Sequence, residues 1–179
     1  MASQGPNSGA TFASVAPGDI VWDTPTNAQT SDNAYAQAIF TAVLDQSSEN
    51  LHATNFGFLV PAGSTIDGII AEVERKSTNV AADIRDLSVK IIKGGTASGD
   101  EKASGTIWPA SDTYQTYGTA SDKWGLTWTS TDINASNFGL SISAGDFIAL
   151  PWIGQIDHIR LTVHYTPASS SKLMLLGVG

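Results

Sequence analysis

The segment NFGFLVPAG at residues 55–63 returns as NFGLSISAG at residues 137–145, and this repeat decides the predicted fold. Each copy follows an Ala and a small hydroxyl residue. Each copy also precedes a strand-like run that opens Ile-Asp-x-Ile, at residues 66–69 and 156–159. A unit this short does not fold alone. Two copies therefore predict two similar β-layers packed face to face, which is the plan of a β-sandwich.

The rest of the chain has the pattern of an all-β domain. Apolar and polar residues alternate at residues 69–74, 87–92 and 159–165, as they do in half-buried strands. Residues 34–44 are compatible with a helix, but their context favours a strand. The sequence predicts an antiparallel β-sandwich, jelly-roll-like, with about eight or nine short strands separated by Gly- and Pro-rich turns.

The composition divides the chain into three segments. Residues 1–18 are rich in Gly, Ser, Ala and Pro and predict an extended N-terminal arm, either disordered or laid on a partner. Residues 19–167 form the predicted sandwich. Residues 168–179 form a linker and an apolar C-terminal tail.

Charge and composition exclude several functions. The chain of 179 residues has a formal net charge of −8 and no Cys. Direct contact with nucleic acid is not expected, because that affinity depends on Lys and Arg. The chain lacks an apolar run long enough to span a membrane, and its first residues do not resemble a secretory signal. We therefore expect a protein made in a cytoplasm, without nucleic-acid or membrane partners.

No catalytic signature is present. No Gly-x-Ser-x-Gly motif occurs, and His158 and His164 fall on the solvent face of a strand, which favours surface or paired structural histidines. The acidic pair Glu72 and Glu74 is better explained as part of a solvated outer strand face than as a catalytic pair of carboxylates. Four loop acids offer oxygen ligands for Ca²⁺ but lack EF-hand spacing: Asp83, Asp86, Asp100 and Asp112. The sequence predicts a non-enzyme without catalytic residues, metal or cofactor.

The aromatic residues between positions 108 and 128 are dense. Three interpretations are open: a buried lid over one end of the sandwich, a subunit interface, or a surface that stacks on sugars. The residues concerned are Trp108, Tyr114, Tyr117, Trp124 and Trp128.

Both ends of the chain are candidate contacts with a partner protein or with neighbouring subunits. The apolar tail is either a final strand of its own sheet or a strand donated to a neighbour. The candidate contact residues are Phe12, Leu173, Met174, Leu175, Leu176 and Val178.

An ordered series of short phrases resembles a family of structural proteins of tailed bacteriophages and prophages. The resemblance covers roughly residues 20–166 and consists of WDTPTN (22–27), SDNAYA (31–36), ATNFGF (53–58), IDGI (66–69), EVERK (72–76), IIKGG (91–95), Tyr117-Gly118, DKWG (122–125), Thr127-Trp128, DIN (132–134), DHI (157–159), Thr162-Val163 and Tyr165.

The resemblance implies a β-sandwich component of the virion. Such modules occur as head decoration (cement) proteins and within tail or fibre proteins. We expect a capsid decoration protein on the capsid surface, with the major capsid protein as its partner, assembled as a homotrimer. The alternative is a receptor- or glycan-binding module on the tail or the head surface that uses the aromatic residues 108–128.

Overall fold

The computed structural model describes residues 1–148 and 150–169. Within them the chain forms ten β-strands, one 3₁₀ turn at Pro25–Ala28 and one short α-helix, α1, at Ser130–Asn134. The strands are β1 Ala2–Ser8, β2 Thr11–Val15, β3 Ala36–Ile39, β4 Asn50–Thr54, β5 Thr65–Ser77, β6 Ile84–Lys93, β7 Thr96–Ser98, β8 Thr113–Gly118, β9 Gly139–Asp146 and β10 Ile153–Thr166.

The strands form two five-stranded antiparallel sheets. Sheet A has the order β1-β10-β5-β8, and β3 pairs with the first residues of β10. Sheet B has the order β2-β4-β9-β6-β7. The chain crosses between the sheets at every connection except the one from β6 to β7. The predicted antiparallel, jelly-roll-like β-sandwich is confirmed.

The core lies between the sheets, because each strand turns alternate side chains inward. Ile69, Val73 and Leu161 from sheet A meet Leu51 and Ile142 from sheet B, and all five are fully buried. The alternation predicted for residues 69–74 and 159–165 is seen in the burial pattern of β5 and β10.

The sequence predicts one sheet for each copy of the repeat. The structure does not have this arrangement. The first phrase follows β4 and the second enters β9, and these strands are neighbours in sheet B. The following Ile-Asp-x-Ile runs belong to β5 and β10, which are neighbours in sheet A. The turn after each phrase carries the chain across the sandwich, so each copy contributes to both layers. The rings of Phe56, Phe58 and Phe138 meet where the copies adjoin, with centroids 5.9–6.5 Å apart.

The predicted free arm at residues 1–18 is wrong. β1 pairs with β10 in sheet A, and β2 pairs with β4 in sheet B. Polar side chains secure this segment where apolar ones are few: Gln4 exchanges two 2.8 Å hydrogen bonds with the backbone of Leu59, and Asn7 donates to the Phe56 carbonyl. The sandwich therefore starts at Ala2, well before residue 19.

Between β8 and β9 the chain forms α1, an element that the sequence patterns do not predict. This helix begins with a capping box, in which Thr129 Oγ1 accepts from the Asp132 backbone N–H. None of the helices in residues 1–148 and 150–169 has the length and apolar character needed to cross a membrane.

Candidate functional site

The outer face of sheet B carries a polar surface that follows from strand register. Residues paired across antiparallel strands share a face. His52 of β4 and Lys90 of β6 both pair with Ser141 of β9, and Ser88 of β6 pairs with Ser143 of β9. Residues one position away on these strands, such as Ile142, point into the core. The outward positions therefore form one polar surface across three strands.

A groove of about 400 Å³ lies on this face. Asn50, Ser88, Lys90 and Ser143 line it from the strands, and Pro17–Gly18 and Ser47–Ser48 form one wall. A side chain at position 18 would collide with the backbone of Ser48 and Glu49, so only glycine lets this wall lie flat against β4. We refer to this feature as the sheet B groove.

The sheet B groove combines hydrogen-bonding groups with one cation and two carboxylates near its rim. Lys90 forms no ion pair within the described residues, and its ammonium offers three donors. Two carboxylates stand near the rim: Asp19 accepts from Ser47 at 3.1 Å, and Glu101 accepts from Ser88 Oγ at 2.7 Å. A hydroxyl-rich, uncharged ligand suits this surface better than a strongly charged one.

His52 adds a neutral polar group beside the groove. Burial lowers the pKa of its imidazole, because desolvation disfavours the charged form. At neutral pH the ring therefore has one donor and one acceptor nitrogen.

The aromatic residues 108–128 do not form an exposed row. Trp108, Tyr117 and Trp124 are at most 4% exposed and belong to the core. Trp124 Nε1 donates to the Ile69 carbonyl at 2.9 Å. The interface and sugar-stacking interpretations are therefore wrong for these three residues, whose side chains have no free face for a partner.

Tyr114 and Trp128 are only partly buried, and neighbouring side chains already contact their rings. The Arg160 guanidinium lies 4.0 Å from the Tyr114 ring centroid. The Trp128 ring packs edge-on against Phe138 at 5.5 Å, and the Lys93 ammonium lies 5.2 Å from its centroid. Neither ring lies in the sheet B groove.

A buried ion pair explains why two of these aromatic residues lie inside. The Asp86 carboxylate accepts hydrogen bonds from Arg75, from Trp108 Nε1 at 2.8 Å and from the Tyr117 hydroxyl at 2.9 Å. It also accepts from the Ser104 backbone N–H at 2.8 Å. Asp86 is 6% exposed and Arg75 is 1% exposed. We call these residues the Asp86 cluster; it ties β5, β6 and β8 together inside the sandwich.

The other loop acids already have cationic partners. Asp83 pairs with Arg85, Asp100 pairs with Lys102, and Asp112 pairs with Lys76. Asp86 lies in β6, not in a loop, and its carboxylate is buried with four hydrogen-bond donors, which corrects its candidacy as a calcium ligand. Within the described residues, no three His, Asp or Glu side chains converge in a way that could hold a metal ion.

His158 is a paired histidine on the outer face of sheet A. Its Nε2 lies 2.7 Å from Ser8 Oγ, and its Nδ1 lies 2.8 Å from the Tyr114 hydroxyl. Burial and the nearby Arg160 charge lower its pKa. The ring thus links edge strand β1 to β8. On the same face, Glu72 holds Arg160 through two hydrogen bonds of 3.0 and 3.1 Å.

The candidate contact residues at the chain ends have different outcomes. Phe12 lies in β2, pairs with Ala53 and packs partly buried against the core, so it is not the free contact that an arm would present. Leu173, Met174, Leu175, Leu176 and Val178 lie outside the described residues.

One end of the sandwich is apolar. Backbone hydrogen bonds join its three loops: Phe40 N–H donates to Trp152, Asp146 N–H to Gln46, and Phe147 N–H to Asp83. We call this surface the apolar end. Its exposed apolar residues, between 37% and 88% accessible, are Ile39, Val43, Leu44, Val80, Phe147, Ile148 and Leu150.

Sequence reasoning missed both surfaces. The sheet B groove is built from Ser, Asn and Lys, which form no motif, and only their outward positions on alternating strands could have indicated it. The residues of the apolar end come from the last residue of β3 and from three loops, which come together only in the fold.

The fold and the groove define a β-sandwich module with a polar groove on the outer side of one sheet. No family model and no curated protein matches the chain. A solved structure described as "CBM4 structure and function" covers 84% of this chain and 92% of its own, at 10% identity and a TM-score of 0.43. The structure of TmCBM61 in complex with β-1,4-galactotriose covers 87% and 93%, at 11% identity and the same TM-score of 0.43. Likeness at this level says nothing about ligands.

Proposed function

We propose that this chain is a non-enzymatic module that binds a neutral oligosaccharide in the sheet B groove. The observation that carries the proposal is the groove itself: about 400 Å³ lined by hydroxyl, amide and ammonium groups. Sugar hydroxyls need both donors and acceptors. Ser143 and Asn50 supply both, Ser88 supplies acceptor lone pairs because its hydroxyl hydrogen is donated to Glu101, and Lys90 supplies donors.

The size of the groove fits a short oligosaccharide. Its lining spans β4, β9, β6 and β7, three strand spacings or about 14 Å. The volume lies within the usual range of small-molecule sites. No aromatic side chain is among the lining residues, so binding rests on hydrogen bonds that compete with water. We expect a weak affinity, on the order of 1 mM or about −4 kcal/mol.

NMR chemical-shift mapping tests this proposal, because it detects weak binding and locates it. Labelled protein is titrated with neutral oligosaccharides prepared from bacterial surface polysaccharides. We expect shifts at Ser88, Lys90 and Ser143, reduced by Lys90→Gln and by Ser143→Val. Lys123→Gln removes the same charge at an exposed position outside the groove and should leave the shifts unchanged. Shifts centred on Tyr114 and Trp128 would instead restore the aromatic interpretation.

The apolar end supports a second candidate function: a virion structural protein of the capsid decoration type. Large exposed apolar patches on soluble proteins usually mark contacts with other proteins. In this proposal the apolar end docks on the major capsid protein at the capsid surface, and copies associate as a homotrimer. The protein would stabilise the shell by burying surface across junctions between capsid subunits.

Particle occupancy tests this second function. Purified particles lacking the protein are incubated with it, and bound copies are counted after sedimentation. Leu44→Ser with Val80→Ser should lower occupancy. Leu59→Ser removes an equally exposed apolar side chain, 79% accessible, away from the apolar end and serves as the control. Equal occupancy for all variants would reject the apolar end as the docking surface.

A further inference from the structure

The apolar end and the exit of the C-terminal tail lie at opposite ends of the molecule. β10 begins at the apolar end, where Ile153 pairs with Ile39, and runs for 14 residues to Thr166. At about 3.3 Å per residue this strand is about 43 Å long. Ala168 lies beside Gly63, in the turn before β5, which confirms that the chain leaves at the far end.

The tail is too short to cover the apolar end of its own molecule. Leu173 is four residues beyond Ser169, the last residue described before the tail, and Leu176 is seven residues beyond it. A fully extended chain reaches at most about 3.6 Å per residue, or about 25 Å to Leu176. The apolar end is about 43 Å away along β10. Length alone therefore excludes a contact between residues 173–176 and the apolar end of the same molecule.

Few apolar partners are available where the tail leaves the sandwich. Among the large apolar side chains exposed in the described residues, Met1 and Leu59 lie near this exit: Ala2 pairs with Tyr165, and Leu59 bonds to Gln4 of β1. The apolar end exposes seven large apolar side chains. The described residues therefore expose an apolar surface at one end, and the sequence places an apolar segment, residues 173–176, beyond the other end.

We propose that the apolar end binds residues 173–176 of a second copy of this chain, so that subunits associate head to tail. This inference rests on the part of the second proposed function that makes the apolar end a protein contact, and it names a neighbouring copy instead of the major capsid protein as the occupant of that surface. A head-to-tail contact joins two different surfaces, so it either closes into a ring or continues as a filament. Closure after three copies would give the trimer expected from the sequence.

Complementation between two defective variants tests the proposal. The first variant, Leu173→Ser with Leu175→Ser, has an altered tail and an intact apolar end. The second variant, Val43→Ser with Val80→Ser, has an intact tail and an altered apolar end. Sedimentation velocity of the full-length chains measures assembly, and circular dichroism verifies that each variant is folded. Leu59→Ser is the control and should assemble like the unaltered chain.

We expect each variant alone to sediment as a monomer. Their equimolar mixture should form a dimer and nothing larger, because only one intact tail and one intact apolar end remain to pair. Assembly of either variant alone, or a monomeric unaltered chain at about 100 µM, would overturn the inference. In that case the particle-occupancy measurement still tests the second proposed function. If the apolar-end variant loses particle binding and the tail variant keeps it, the apolar end binds another protein and not a second copy of this chain.

Discussion

Removing the carboxylate of the Asp86 cluster provides a direct test of how the two sheets are held together. In Asp86→Ala, Arg75 keeps a buried guanidinium without its counter-charge, and the Trp108 and Tyr117 donors lose their acceptor. Breaking a buried ion pair by removing one partner costs about 3–5 kcal/mol. For a chain of this size, that corresponds to a fall in Tm of about 6–20 °C.

The assay is urea and thermal unfolding followed by circular dichroism. The matched control is Asp83→Ala, which breaks an ion pair whose Arg85 side chain is 37% exposed and should change stability by less than about 1 kcal/mol. The double variant Arg75→Met with Asp86→Leu removes both charges and should recover much of the loss, because an apolar pair needs no counter-ion. A loss below about 1 kcal/mol for Asp86→Ala would refute the reasoning, since it would mean that the charge left behind is solvated.

Three further predictions concern the fold and its pH dependence. Trp124→Ala should cost about 3–5 kcal/mol in urea unfolding, and the half-buried Trp128→Ala less; equal losses would contradict the burial difference. Deleting residues 1–15 removes two paired strands and should lower Tm, whereas an unchanged Tm would mean that this segment is a free arm after all. The pKa values of His52 and His158 are lowered in the folded protein, so the unfolded chain binds more protons below about pH 6.5. Stability should therefore be fully present above that pH and fall as the pH drops towards 5, and replacing both histidines by Gln should flatten the slope of Tm against pH.

The sequence predicts the fold class well, because alternation of apolar and polar residues directly reports a buried face. It fails for β1 and β2, and the reason is physical. Edge strands are held mainly by backbone hydrogen bonds, which every residue can accept and every residue except Pro can donate, so a segment rich in Gly and Ser can still complete a sheet. Gln4 and Asn7 anchor β1 through their amides, a pattern indistinguishable in sequence from a polar linker.

The aromatic residues show a different limit. Their density indicates a large buried area, but sequence alone does not say whether the covering surface belongs to the same chain or to a partner. What decides the matter is the Asp86 carboxylate, which draws Trp108 and Tyr117 inward by accepting their polar hydrogens. Asp86 reads in the sequence as an ordinary loop acid, since nothing local marks its role.

One irregularity in β6 connects the Asp86 cluster to the sheet B groove. Asp86 pairs with Ala144 and Ser88 with Ser143, so Leu87 is an extra residue that forms a β-bulge. Because successive side chains in a strand point to opposite faces, Asp86 and Lys90 would share a face in a regular strand. The bulge shifts the alternation by one position, so that Asp86 faces the core while Ser88 and Lys90 face the groove. The exposed Leu87, which the simple alternation places with the buried residues, is the visible consequence. Both the ion pair that links the sheets and the polar lining of the groove therefore depend on the same single-residue insertion.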